Sequence, residues 1–272
     1  MPRMGDAAQP TPYPDVNGVP HWFLVRIRAI LGDSFIGMYL YGSLAQGDFN
    51  HDSSDIDFIV ITEREVTDEQ FAALGAMHAR FRTGDWYWAE KIEAAYIPQD
   101  ALNLPHSHPA KYPQLEKGRE FAREPLELGW PFQRYVLRNQ GIVIAGPAPA
   151  TLMAPVPSRE LAEADLAIVR MWQQQSRSDP SWLEWVRQRD HQRFFLVTLC
   201  RSLYRLEHGT LASKATAARW GQETLDRRWA ELIACAFMHR GEGEPVTDEE
   251  LADTLAFLDY TTARLTASAG TP

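Results

Sequence analysis

Gly42-Ser43 closes one apolar run, eleven residues follow, and Asp55-Ile56-Asp57 opens the next, which continues through Phe58, Ile59, Val60 and Ile61. On a strand alternate side chains share a face, so Asp55 and Asp57 point to one side while Ile56 turns into the core. Two carboxylates held that close repel one another unless a cation lies between them. Hard oxygen ligands at the mouth of a cleft suit Mg²⁺ taken up jointly with substrate phosphates. Gly42 lets the backbone approach a phosphate with no Cβ in the way, and Ser43 offers a hydroxyl and an amide to phosphate oxygens. Together these residues describe a nucleoside triphosphate site. An isolated Asp-x-Asp is more often turn chemistry, of the kind the His51-Asp52-Ser53-Ser54 stretch supplies just upstream. Here the Gly-Ser on the preceding strand and the apolar strand that follows reverse that reading.

Such a site wants a third carboxylate on the neighbouring strand, both to complete a metal shell and to accept the proton of an attacking hydroxyl. Glu90 in Trp88-Ala89-Glu90-Lys91 and Glu93 in Lys91-Ile92-Glu93-Ala94 are the candidates. Glu93 is preferred, because it lies deeper among apolar residues, where a carboxylate needs a reason.

The elements that must position these groups are visible as hydrophobic patterning. Phe35 to Tyr41 reads as a buried strand and Phe58 to Thr62 as a second, with a polar loop rich in Gly, Ser and Asp between them. His21 to Ile30 has the one-faced apolar spacing of a helix, stopped at Gly32. Thr67 and Gln70 make a capping box that opens a helix through about Arg82. Trp86 to Ile97 reads as a third strand and Gly141 to Ala145 as a last one. Residues 1–20, with five prolines and two glycines, read as a flexible tail. Residues 98–134 show no clear period and read as one long irregular stretch. Pro147, Pro149, Pro155 and Pro157 then mark a linker. Beyond Ser158 the period is helical over Leu161–Gln174, Phe194–Glu207, Lys214–Gly221, Leu225–Arg240 and Leu251–Leu265, with Ser213 and the Thr247/Glu250 pair as caps.

Composition narrows the partners. The 272 residues carry 27 Lys and Arg against 36 Asp and Glu, a formal charge of −9 that disfavours polyanions and admits a cationic small molecule. Nucleic acid is therefore not an expected partner. The two cysteines, Cys200 and Cys235, sit in apolar helical runs and make no disulfide framework, which points to the cytoplasm. With no apolar leader segment near Met1 and no run of about 18 apolar residues, neither export nor membrane insertion is expected. The acidic run Glu242 to Glu250 reads as a solvated inter-helix loop with helix-start charges.

Leu40-Tyr41-Gly42-Ser43, Asp55-Ile56-Asp57 and the later strand Glu resemble the polymerase-beta-type nucleotidyltransferases. The helical half narrows the resemblance to the aminoglycoside adenylyltransferases that modify streptomycin and spectinomycin. Thr198-Leu199-Cys200-Arg201, Tyr204, Gly209, Ser213-Lys214 and Ala217-Ala218-Arg219-Trp220 are similar to that family's C-terminal domain. The resemblance implies an α+β chain, with a nucleotidyltransferase α/β domain built on a mixed sheet at 21–156 and an all-helical bundle at 157–272. It implies that Asp55 and Asp57, with Glu93, bind two Mg²⁺ ions and that Glu93 is the general base. It also implies that Gly42, Ser43, Ser54, Arg201 and Lys214 contact the phosphates of ATP, the co-substrate. Trp182-Leu183-Glu184-Trp185 and Asp190-His191 fall where that family meets its antibiotic. Glu184 and Asp190 would there pair with ammonium or guanidinium groups, and Trp185 and Trp130 would stack on sugar rings. The expected enzyme is a cytoplasmic monomer that transfers AMP to a hydroxyl of such an antibiotic and releases pyrophosphate.

Two other readings compete. The same chemistry could serve a non-antibiotic small molecule or a protein hydroxyl, and neutralising Glu184 and Asp190 should then matter little. A nucleotide-binding regulator on a dead transferase scaffold has no need for the full set of Asp55, Asp57 and Glu93. His106-Ser107-His108 lacks a third ligand for a metal site. The arginines of the Leu211 to Ile233 helix pair are offset by acidic neighbours, which sets DNA binding aside.

Overall fold

The computed structural model describes residues 9–105, 107–238 and 245–269 and divides into two compact units, Met1–Val156 and Pro157–Pro272. In the first, helix α1 (Pro14–Leu31) buries Val16, Val19, Phe23 and Ile27, one stripe at helical spacing, and stops where Gly32 takes a positive φ of 55°. Strand β1 (Phe35–Leu40) runs into a short helix, α2 (Gly42–Gln46), before β2 (Ile56–Thr62). Helix α3 (Asp68–Arg82) starts at the Thr67/Gln70 capping box, with both reciprocal hydrogen bonds made. Strands β3 (Ile92–Pro98), β4 (Lys111–Leu115) and β5 (Ala122–Pro125) precede α4 (Trp130–Gln140), β6 (Ile142–Ala145) and α5 (Pro149–Leu152).

The six strands form one mixed sheet in the order β5-β4-β3-β2-β1-β6, in which β2 and β3 are parallel and every other pair is antiparallel. The central strand β2 reads as an unbroken apolar run because both of its faces are covered. Phe58 and Val60 enter the core shared with α1 and α3, and Ile59 and Ile61 enter the core shared with Trp130 and Leu137 of α4.

The second unit is helical: α6 (Ser158–Ser178), α7 (Pro180–Val186), α8 (Arg189–His208), α9 (Lys214–Thr224), α10 (Arg227–Met238) and α11 (Asp248–Ala269). Its core gathers Phe195, Leu196, Leu199, Cys200 and Leu203 of α8 with Trp172 and Trp182, and Cys200 and Cys235 form no disulfide. Ser213 caps α9, and Thr247 and Glu250 exchange the capping-box hydrogen bonds at the start of α11.

The structure corrects four expectations. The flexible tail to residue 20 is too long, since α1 begins at Pro14: proline suits a first helical turn, and Val16 and Val19 extend the buried stripe of Phe23 and Ile27. Residues 1–8 lie outside the described residues, as do His106 and the start of the acidic run at 242. The third strand starts at Ile92 rather than Trp86, because residues 86–91 form consecutive turns that bury Trp88 against Phe49 and His51. The stretch 98–134 is not irregular throughout: it holds the β4–β5 hairpin and opens α4. The loop after β1 begins as helix α2, so Gly42 and Ser43 belong to a helical turn.

Candidate active site

The parallel register of β2 and β3 sets Asp57 directly beside Glu93. Asp57 lowers the Glu93 carboxyl from the neighbouring strand, while the charge of Asp55 raises it. Burial, with Asp55 next and Glu116 further off, pushes the Glu93 carboxyl above the usual carboxylate range, against the opposing pull of the Lys117 peptide N–H and of Asp57. Glu90, by contrast, is exposed in the turn before β3. The geometry thus gathers Asp55, Asp57 and Glu93 and leaves Glu90 apart.

Gly42 faces this cluster. Its φ is +60°, and a Cβ there would collide with Asp57 Oδ2, so a side chain is excluded both by backbone conformation and by space. The Tyr41 peptide N–H donates to the Asp57 carbonyl at 3.1 Å and ties the end of β1 to the carboxylate strand. The Tyr41 phenol is raised well above its ordinary value by burial and then by the charges of Asp57, Glu93, Glu116 and Glu127. Glu127 is itself raised by burial and by Glu116. The acidic character of the site therefore extends beyond the three carboxylates that the sequence singles out. Ser43 lies in the first turn of α2, and the Ser54 hydroxyl accepts from the Asn50 peptide N–H at 2.9 Å, closing the loop that delivers Asp55.

Sequence reasoning missed Lys117. Its Nζ lies 2.9 Å from Asp55 Oδ1 and 3.3 Å from Oδ2, so a cation already sits against the carboxylate set. The only local signal was a Lys-Gly pair in a stretch taken as irregular. Among the described residues no group of three His, Cys, Asp or Glu is arranged to hold a metal ion as it stands. The donor types nevertheless fit Mg²⁺: they are all carboxylate oxygens, and like charges crowd at Glu93.

Two family models match the chain: the nucleotidyltransferase domain over residues 25–120 and the aminoglycoside adenylyltransferase C-terminal domain over residues 151–264. The second of these models is that of the aminoglycoside adenylyltransferases, and the two follow one another along the chain in the order of its two units. Aminoglycoside (3'') (9) adenylyltransferases of Klebsiella pneumoniae and Escherichia coli are 26% identical over 220 residues, which cover 76% of this chain and 78% of theirs. A spectinomycin adenyltransferase from Enterococcus faecialis, solved with ATP and spectinomycin, shares the fold with a TM-score of 0.68 at 21% identity, over 93% of this chain and 98% of that one. The chain is a nucleotidyltransferase.

The remaining site candidates divide sharply. Trp130 is fully buried in the core beside Tyr39, Ile59 and Leu137, so it packs the sheet and does not present its ring to an acceptor. That is a correction, and its reason is the hydrophobic area an indole gains in the core at the start of α4. In the helical unit Glu184 and Asp190 are exposed, and each pairs locally, with Arg187 at 3.5 Å and Arg193 at 2.7 Å. Trp185 stacks on His191, with ring centroids 4.4 Å apart, and accepts a hydrogen bond at its carbonyl from the His191 ring at 2.9 Å if Nδ1 carries the proton. Arg201 Nε donates to the Ala212 carbonyl at 3.1 Å, and Lys214 is exposed at the first position of α9. No helix among the described residues is long and apolar enough to cross a membrane.

Proposed function

We propose that the protein transfers AMP from Mg-ATP to a hydroxyl of an aminoglycoside or spectinomycin-type antibiotic. The observation that carries this reading is the Asp57–Glu93 register beside Asp55, facing a Gly42 that admits no side chain. The acceptor oxygen forms a bond to the α-phosphorus as the bond from that phosphorus to the β-bridging oxygen breaks. Pyrophosphate leaves, and the hydroxyl proton passes to Glu93. Glu93 suits that task because burial lifts its carboxyl toward neutrality, where a general base works best. Bound Mg²⁺, two ions in this reading, supplies Lewis-acid stabilisation of the charge that builds on the phosphate oxygens. Asp55, Asp57 and Glu93 would hold it. Gly42, Ser43 and Ser54 are the proposed phosphate contacts of the first unit, and Arg201 and Lys214 those of the second.

The acceptor is cationic, and exposed Glu184 and Asp190 provide carboxylates for its ammonium or guanidinium groups, with Trp185 as a stacking face. The absence of a disulfide at Cys200 and Cys235 suits a reducing cytoplasm, in which the enzyme acts as a monomer. The test is pyrophosphate release with Mg-ATP against streptomycin, spectinomycin and other aminoglycosides. Release with at least one of them is expected, and Asp57→Asn should bring it to background with an unchanged circular dichroism spectrum. Glu184→Gln and Asp190→Asn should raise the acceptor KM and leave that of ATP alone. Undiminished release in the Asp57→Asn protein overturns the reading, and ATP binding without release on any panel member moves the acceptor outside the antibiotics.

A further inference from the structure

We infer that Lys117 is the resident counter-cation of the carboxylate set, a positioning residue whose ammonium holds Asp55 until a divalent ion displaces it. The inference rests on the metal-dependent reading above and deepens it. Asp55, Asp57 and Glu93 are brought together by strand register, and in the absence of a cation their mutual repulsion opposes the fold. Lys117 answers that repulsion twice. Its Nζ bonds both oxygens of Asp55, at 2.9 and 3.3 Å, and its peptide N–H favours the charged form of Glu93 against the push of burial.

The hairpin turn makes this double contact possible. Between β4 and β5 the Arg119 peptide N–H donates to the Glu116 carbonyl at 3.0 Å, and Gly118 takes a φ of +74°, which aims Lys117 back at the strand ends. The two contacts differ in permanence. The peptide N–H is fixed in the turn backbone, whereas the ammonium is on a flexible stem, 51% exposed, and can leave Asp55 for water at small cost. An ammonium and Mg²⁺ compete for the same Asp55 oxygens, so metal entry and withdrawal of Lys117 are one event. This makes Lys117 a brake on metal affinity and a support for the metal-free fold.

The experiment is Mn²⁺ binding without nucleotide, followed by the electron paramagnetic resonance of free Mn²⁺, on the full chain and on Lys117→Met, Lys117→Arg and Asp57→Asn. Lys117→Met should bind Mn²⁺ roughly fivefold tighter, the gain expected from removing a half-exposed competing ion pair. Lys117→Arg should stay near the parent value. Without metal, Lys117→Met should unfold at lower temperature than the parent, and saturating Mn²⁺ should close that gap. In turnover, the same variant should need less Mg²⁺ for half its maximal rate. Should Lys117→Met bind Mn²⁺ no tighter than a parent that binds it, and Asp57→Asn lose binding, the counter-cation role is wrong and the metal reading stands. A parent that binds no Mn²⁺, or an Asp57→Asn protein that binds it equally well, removes the metal reading and this inference together.

Discussion

Each unit sequesters carboxylates from water, and the two do so in opposite ways. In the helical unit Asp165 of α6 has a side chain 3% exposed. It meets Arg205 of α8 through two hydrogen bonds, one of them at 2.6 Å to Nε, and accepts the Ser202 hydroxyl at 2.6 Å. The buried Asp165 charge there has both an opposite charge and a donating hydroxyl. In the sheet unit Glu93 is set beside Asp57 and Asp55, with the single ammonium of Lys117 bonded to the outer member. The first arrangement satisfies itself, which is what a structural pair needs once it is buried. The second crowds like charges, a stability cost that strand register imposes and that a bound cation would offset. Burial alone therefore does not mark a functional carboxylate; an imbalance of charge around it does.

The contrast predicts two different failures. Glu93→Gln should lower turnover by about 10²- to 10⁴-fold, the range for loss of a general base, with ATP affinity near parent and thermal stability at or above it, because one of the crowded charges is removed. Single-turnover kinetics with a nucleotide-binding titration would show it. If Glu90→Gln has that effect instead, the base lies in the turn before β3. Asp165→Ala should do the reverse, costing about 3–5 kcal/mol of stability by leaving Arg205 buried without its partner. Turnover well below the unfolding transition should be little changed. Denaturant unfolding read beside initial rates separates the two, and an inactive but stable Asp165→Ala protein would break the distinction.

How much of this was legible depended on whether the signal was local. Asp55, Asp57 and Gly42 were readable because each owes its position to a strand or turn that its own neighbours specify. The two-unit organisation showed in the change from strand to helical period near Pro155 and Pro157. Lys117 was not readable, since its partner Asp55 is 62 positions away and the β4–β5 hairpin that joins them carries Pro113 within a strand and little alternation. Trp130 misled for the opposite reason. An indole is equally at home stacked on a sugar or buried in a core, and only the packing of α4 on the sheet decides which. Trp86 to Lys91 carry strand-forming aromatics, but the packing of Trp88 against Phe49 and His51 overrides that propensity.

His78 on α3 sharpens the comparison with a third solution, which is to bury a titratable group and keep it neutral. Its ring is 4% exposed, lies beside Phe121 with centroids 5.1 Å apart, and has Nε2 2.7 Å from the Tyr96 hydroxyl. Nδ1 has no hydrogen-bond partner among the described residues, and burial pulls the imidazole down to about 3. The folded value lies below the unfolded one of about 6.5, so between those values the unfolded chain binds a proton that the fold refuses. The contribution of neutral His78 is therefore complete above the unfolded value and drains away as the pH falls toward 3, at up to about 1.4 kcal/mol per pH unit. Urea unfolding of the parent and of His78→Gln across pH 7 to 4 isolates the group, because the carboxylates titrate in both proteins. The stability of the variant should fall less steeply with acid. Parallel curves would mean that the fold already admits the proton at His78, and neutrality would then not be how the sheet unit tolerates a buried imidazole.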